Sequence, residues 1–291
     1  MIKEYAIHDV SEYINWIYFF HAWGFAAKFA SIAETHACEA CYNQWVQSFP
    51  QEDRPKAKEA IQLFREANAL LNEMDHTAKA YAIFRLMDAN SDGDDLIVVD
   101  QRIPMLRQQT ATSDDQPLLC LSDFVRPKQT GITDRIGVFA TTIKSESATK
   151  SENQLMAQTI ADRLAEATAE RLHLVVRKEL WGYAPDESLS IKELFQGKYQ
   201  GIRPAIGYPS LPDLSINFIL DQLIDMKRIG ITLTDNGMMV PHASVSGFMI
   251  AHPKAYYFSV GKIDEHQLID YAQRRGVSIE TARKYLIGNL L

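Results

Sequence analysis

Arg203 is the side chain in this sequence whose surroundings most invite chemistry. It lies in Gly201-Ile202-Arg203-Pro204-Ala205-Ile206-Gly207-Tyr208-Pro209, where two prolines and two glycines surround one arginine and one tyrosine. Pro204 and Pro209 fix φ and donate no backbone hydrogen bond, which argues against a long helix or a central strand. Gly207 permits positive φ or close approach of the backbone to a bound molecule. A guanidinium on so stiff a backbone is a good fork for a carboxylate or phosphate. The alternative is a solvated arginine in a surface turn.

Other residues offer weaker chemistry. Asn15 is a polar amide inside the aromatic run Tyr13-Ile14-Asn15-Trp16-Ile17-Tyr18-Phe19-Phe20. It is either a core amide satisfied by backbone or a ligand contact. His36-Ala37-Cys38-Glu39-Ala40-Cys41 has the spacing of half a zinc site. No second pair follows, so a four-ligand set is missing and no metal is expected. Asp88-Ala89-Asn90-Ser91-Asp92-Gly93-Asp94-Asp95 imitates the start of an EF-hand loop, but Val99 stands where the bidentate Glu belongs. The expected structure there is a β-hairpin with an acidic turn. Asp162, Glu166, Glu170 and His173 recur three or four apart, as on a solvated helix face. Tyr256 and Tyr257 adjoin each other and, on a strand, point to opposite faces. There is no Walker A motif, no Gly-x-Gly-x-x-Gly after a strand and no nucleophile elbow, and no catalytic residue is evident.

The elements that must carry these residues follow from periodicity and punctuation. Residues 9–30 read as one nearly all-apolar helix, with Asp9 as cap. Residues 53–75 carry Ala57, Ile61, Phe64, Ala67, Leu70, Leu71 and Met74 at helical spacing. Strands are predicted at 81–87, 96–99, 102–107, 117–125 and 134–142, joined by short Ser, Thr, Asp, Gln and Gly clusters. Such short connections favour an antiparallel sheet. A long helix is predicted over 152–179, with Met156, Ile160, Leu164, Ala167, Leu172, Val175 and Val176 as its apolar stripe. Ser190 and Glu193 make a capping box. A helix at 214–227, a strand-turn-strand over 240–260 and two helices starting near Asp264 and Ser278 complete the chain.

The length of 291 residues allows one large domain or two small ones. A net charge of −7 argues against nucleic acid or an anionic membrane surface as partner. No stretch approaches the roughly 20 apolar residues of a membrane span. Three cysteines, an odd count without a secretory leader pattern, predict a reducing, cytoplasmic setting. The residues alone describe an α+β protein with an aromatic, arginine-bearing site for a small anionic or zwitterionic molecule.

Arg203-Pro204-Ala205-x-Gly207-Tyr208-Pro209 resembles the signature of the activation domain of cobalamin-dependent methionine synthase. Tyr13-Ile14-Asn15-Trp16, Cys120-Leu121-Ser122-Asp123-Phe124-Val125, Ala161-Asp162-Arg163-Leu164-Ala165-Glu166-Ala167, Arg177 to Pro185, and Ala243-Ser244-Val245-Ser246-Gly247 with His252-Pro253 resemble the same domain in the same order. The resemblance implies a single C-shaped α+β domain over 1–291, with a twisted antiparallel sheet flanked by helices and an insertion near 36–52. It implies binding of S-adenosylmethionine and transfer of its methyl group to reduced cobalamin during reactivation of the enzyme. The cobalamin would come on a partner domain or chain, and electrons from a flavodoxin-type reductase. Folate, homocysteine and cobalamin sites are not visible in this chain.

By the same resemblance, Arg203 holds the ligand carboxylate, Ala205 and Gly207 run along the ligand, Tyr256 and Tyr257 flank it, Glu166 lies in the site, and Tyr208 faces the cobalamin. Asn15 stands where the family pattern has an Asp that pairs with the ligand ammonium. It keeps an acceptor but loses the charge, and charge-assisted bonds are roughly twice as strong as neutral ones. A sulfonium activates its own methyl group, so such a site needs positioning rather than a general base. The alternative function is a non-catalytic docking module for the reductase or the cobalamin domain, with a degenerate ligand site.

Overall fold

The computed structural model describes residues 1–110, 117–145 and 154–291. The fold is α+β. Its frame is an antiparallel sheet built on two long strands, β2 (Ala78–Asp92) and β5 (Asp134–Ser145), paired from Ala78↔Ser145 to Ala89↔Asp134. β1 (Ile2–Tyr5) and the hairpin partner β3 (Asp95–Val98) share the other edge of β2, one at each end. β4 (Gln101–Pro104) extends the sheet beyond β3, and β8 (Ser244–Met249) extends it beyond β5. A separate two-residue pairing joins β6 (Thr232–Leu233) to β7 (Met239–Val240).

Both faces of this sheet are covered, and strand alternation decides which residue goes where. Ala80, Ala82, Phe84, Phe139, Ile143, Val245 and Met249 face one core, filled by α4 (Arg54–Thr77) and α5 (Gln154–Val175). Ile83, Met87, Ile136, Val138, Ala140 and Phe248 face a second core, closed by α7 (Ile216–Ile224). Two buried faces explain why β5 reads as an almost unbroken buried run rather than an alternation. Small residues let α5 lie close to the sheet, and Thr141 Oγ1 donates to the Ala165 carbonyl of α5 at 3.0 Å. A third, smaller core joins α8 (Glu265–Arg275) and α9 (Ile279–Tyr285).

The hairpin, the helices at 54–77 and 154–175, the α7 region and the Ser190, Asp264 and Ser278 caps follow the sequence expectations. Residues 152 and 153 of the expected long helix, and the polar cluster at 111–116, lie outside the described residues. Four expectations need correction. The helix expected over 9–30 is three pieces: α1 (Ile7–Ser11), α2 (Trp16–Ala22) and a 3-10 stretch at Ala27–Glu34. Asp9 is not the cap but the third residue of α1, accepting from Ala6 N. Residues 117–125 hold a 3-10 turn, Leu121–Phe124, and meet β2 through a 2.8 Å hydrogen bond from Ser91 Oγ to the Val125 carbonyl rather than as a paired strand. Residues 252–260 run as an irregular segment rather than a second strand. Apolar runs this short satisfy either state, and tertiary packing chose.

The cysteine expectation also changes, because Cys38 and Cys41 are joined by a disulfide at the start of α3 (Glu39–Gln47). Cys120 is a buried free thiol. In the acidic turn, Asp92 pairs with Arg102 and Lys128, and Asp94 with Arg107. Among the described residues, no helix is long and apolar enough to cross a membrane.

Candidate functional site

The segment 202–206 attaches to the free edge of β8. Ile202 and Ile250 exchange two backbone hydrogen bonds of 2.9 Å, Ile206 N donates to Ser246 O at 2.9 Å, and Phe248 N donates to Pro204 O at 3.0 Å. Pro204 therefore serves as an acceptor only, which is the role an edge position leaves open to proline. Gly247 makes the close approach possible: a Cβ there would lie 2.2 Å from Pro204 O. The segment then turns at Gly207, whose φ is +88°, in the region that favours glycine.

This edge mounts Arg203 against α5. Its Nη1 and Nη2 both donate to Glu170 Oε2, each at 3.2 Å, with the two side chains 11% and 10% exposed. Burial opposes the charge on Arg203 most strongly, but Glu170, Tyr257, Tyr199 and Glu166 together outweigh it and keep the guanidinium protonated. The Arg203 backbone is pinned as well, since its N–H donates to Tyr257 Oη at 2.9 Å. Tyr257 Oη lies 3.0 Å from Tyr199 Oη. The Tyr199 ring has the Arg177 guanidinium 4.2 Å from its centroid on one contact and the His173 ring, edge to face, at 4.9 Å on another.

Glu166, Glu170, His173 and Arg177 lie four, three and four residues apart, so a single stripe of α5 and its π-helical extension (Val176–Leu180) carries all four. The expected solvated face is therefore corrected: Glu170 and His173 are buried. Arg177 is fully buried and donates to both oxygens of Glu187, at 2.9 and 2.7 Å. Burial, reinforced by Arg177 and Arg203, pushes the His173 imidazole well below its ordinary pKa, so it is neutral. Burial raises the Glu166 carboxyl, with Arg203 and Arg163 opposing the rise. Glu166 accepts a hydrogen bond from Tyr208 Oη.

The structure thus joins Glu166, Arg203, Tyr208 and Tyr257 in one connected group, with Ala205 and Gly207 on the same segment. Tyr256 diverges from Tyr257 and sets its ring 6.2 Å from that of Phe124. Asn15 is the N-cap of α2, its Oδ1 accepting from Ile17 N at 3.2 Å. That is the local backbone role, and Asp would fill it equally well. Sequence reasoning did not assign Glu170, His173, Tyr199 or the Arg177–Glu187 pair to the site. The stripe of 166, 170, 173 and 177 was visible, but nothing in one helix reveals what packs on it.

Three buried polar atoms in this cluster lack a hydrogen-bond partner in the structure: Glu170 Oε1, His173 Nδ1 and Arg177 Nη1. Only two of the five N–H donors of Arg203 go to Glu170. Buried polar groups left open are uncommon and invite a ligand. The arrangement defines a binding domain with a charged, positioned site on a sheet edge.

The vitamin B12-dependent methionine synthase activation domain is the family whose model matches residues 6–276, and the chain belongs to that family. It is also similar to a crystal structure of a MetH reactivation domain bound to AdoHcy. The two share 36% identity and a TM-score of 0.84, over 100% of this chain and 90% of the other.

Proposed function

We propose that this domain binds S-adenosylmethionine and presents its methyl group to reduced cobalamin, restoring an oxidised methionine synthase. The observation that carries the reading is Arg203, fixed on three sides: by the β8 edge, by Tyr257 at its backbone and by Glu170 at its guanidinium. Its remaining N–H donors take the ligand carboxylate. A structure with AdoHcy bound supports this choice, because AdoHcy is the donor after methyl loss. The exposed ring faces of Tyr256 and Tyr257 favour the cationic sulfonium. Ala205 and Gly207 supply the backbone along the ligand, and Asn15 meets its ammonium through the second lone pair of Oδ1, the first being used in capping. Glu166 holds the Tyr208 hydroxyl and so sets the ring that faces the cobalamin.

The electron pair that takes the methyl group belongs to cobalamin, carried by a partner domain or chain. A flavodoxin-type protein supplies the reducing electron. This domain has only to hold two ends of the donor and leave the methyl exposed. Calorimetric titration of S-adenosylmethionine into the chain and into Arg203→Ala tests the reading. Saturable heat that the variant loses supports it. A folded wild-type chain that takes up no ligand at millimolar concentration removes it and favours a docking module.

A further inference from the structure

His36, Cys38 and Cys41 form a second cluster, which the methyl-donor reading does not use. Their candidate ligand atoms, one ring nitrogen and two sulfurs, all lie within 4.8 Å of one another. We propose that, in its dithiol state, this cluster binds one zinc ion through His36, Cys38 and Cys41, with water at the fourth position.

The local backbone is built for it. Cys38 N donates to His36 O at 2.7 Å, which folds the histidine back toward the sulfurs. Cys38 is the N-cap of α3, and its Sγ accepts from Cys41 N at 3.1 Å. Both sulfurs thus sit at a helix start, Cys38 at the cap and Cys41 in the first turn. Two thiolates and an imidazole are a soft donor set that selects zinc over magnesium or calcium. Two negative sulfurs also balance the ion's charge. Zinc takes sulfur at about 2.3 Å and nitrogen at about 2.0–2.1 Å. Once the disulfide is reduced, χ1 rotation can bring the sulfurs to that spacing around an ion while the backbone stays put.

The segment is anchored independently of the sulfurs. Tyr42 and Val46 bury the inner face of α3 against the first core. Arg65 stacks 4.8 Å from the Tyr42 ring centroid and pairs with Glu39. Reduction therefore leaves the three ligands on an ordered helix start. His36 is exposed and the two cysteines are half-buried, so water reaches the open position. The disulfide and the metal use the same sulfur atoms, and only the reduced chain binds. Cys120 is an internal control: it is buried, and burial pushes its thiol up to about 11, so it stays protonated at neutral pH.

The experiment uses the full chain, reduced with a phosphine, desalted without oxygen and checked for all three thiols by thiol titration. Cobalt(II), a spectroscopic stand-in for zinc, is then added. One equivalent is expected to give a sulfur-to-cobalt charge-transfer absorption that zinc abolishes, and the disulfide form is expected to give none. Cys38→Ser keeps a good helix cap, and with it the fold, but loses the absorption. His36→Asn weakens zinc binding by at least roughly tenfold, the lower end of what even outer-shell changes cost. Cys120→Ser changes nothing. A fully reduced wild-type chain without the absorption overturns the proposal, as does an absorption that survives in Cys38→Ser or disappears in Cys120→Ser.

Discussion

Asp95 and Glu170 are two buried carboxylates that meet arginines, and they are finished differently. Asp95, at the start of β3, is 1% exposed and has both oxygens occupied, one by Arg102 and one by Arg274. Those arginines continue outward: Arg102 reaches Asp92 at 2.8 Å, and Arg274 reaches Asp270 at 2.8 Å and the Met105 carbonyl at 3.1 Å. The cluster ties the hairpin to α8. Glu170 gives one oxygen to Arg203 and leaves the other open, beside the open atoms of His173 and Arg177. A satisfied network of charges rigidifies a fold, whereas an unsatisfied one is costly unless something completes it. The first cluster is complete within the fold, and the second is the one that the proposed ligand would complete.

Breaking each cluster separates stability from binding. Arg203→Ala removes the ligand fork and strands Glu170. Truncating one partner of a buried charge pair costs about 2–5 kcal/mol, or roughly 30-fold to 5,000-fold in affinity for S-adenosylmethionine. Calorimetry reads this directly. Asp95→Ala should instead cost about 2–3 kcal/mol of folding stability in urea titration, the worth of lost hydrogen bonds to a charged group. Ligand affinity of the folded variant should stay unchanged. Loss of affinity here, or none in Arg203→Ala, would erase the distinction.

Acidity sharpens the comparison further. Folded His173 has a depressed pKa, so the unfolded chain binds a proton that the folded one refuses as pH falls below about 6.5. Its contribution is present above that pH and is lost on acidification, at up to about 1.4 kcal/mol per pH unit. Chemical denaturation across this range should show a slope one proton shallower in His173→Gln. The smallest effect is at Asn15. Asn15→Asp keeps the α2 cap and adds a charge toward the ligand ammonium, tightening binding by about 1 kcal/mol, or roughly fivefold. An unchanged affinity would confine residue 15 to capping.

Much of this was legible in the sequence, for local reasons. The Ser190–Glu193 capping box, the Gly93-Asp94 turn and the α4 stripe depend on residues a few positions apart, and each formed as expected, whereas the Asp9 cap did not. Pro204 argued against a central strand, and its segment lies on a sheet edge, where a missing N–H is tolerated. The failures needed information from elsewhere in the chain. Whether 117–125 becomes a strand depends on a free sheet edge beside it. Whether Glu170 is solvated depends on Arg203, 33 residues away. Tyr199 carried no motif at all and entered the site through Tyr257, 58 residues on.

The attachment of 202–206 to β8 has a consequence for how the protein survives in a crowded solution. An open strand edge recruits strands from other chains and seeds aggregation. Here the segment that carries Arg203 is also the cover of that edge, with a proline set into it. A change that lifts this segment, such as any side chain at Gly247, would blind the site and at the same time uncover a sticky surface. The backbone that mounts the arginine is therefore also under selection for solubility, whatever the side chain at 203 is asked to bind.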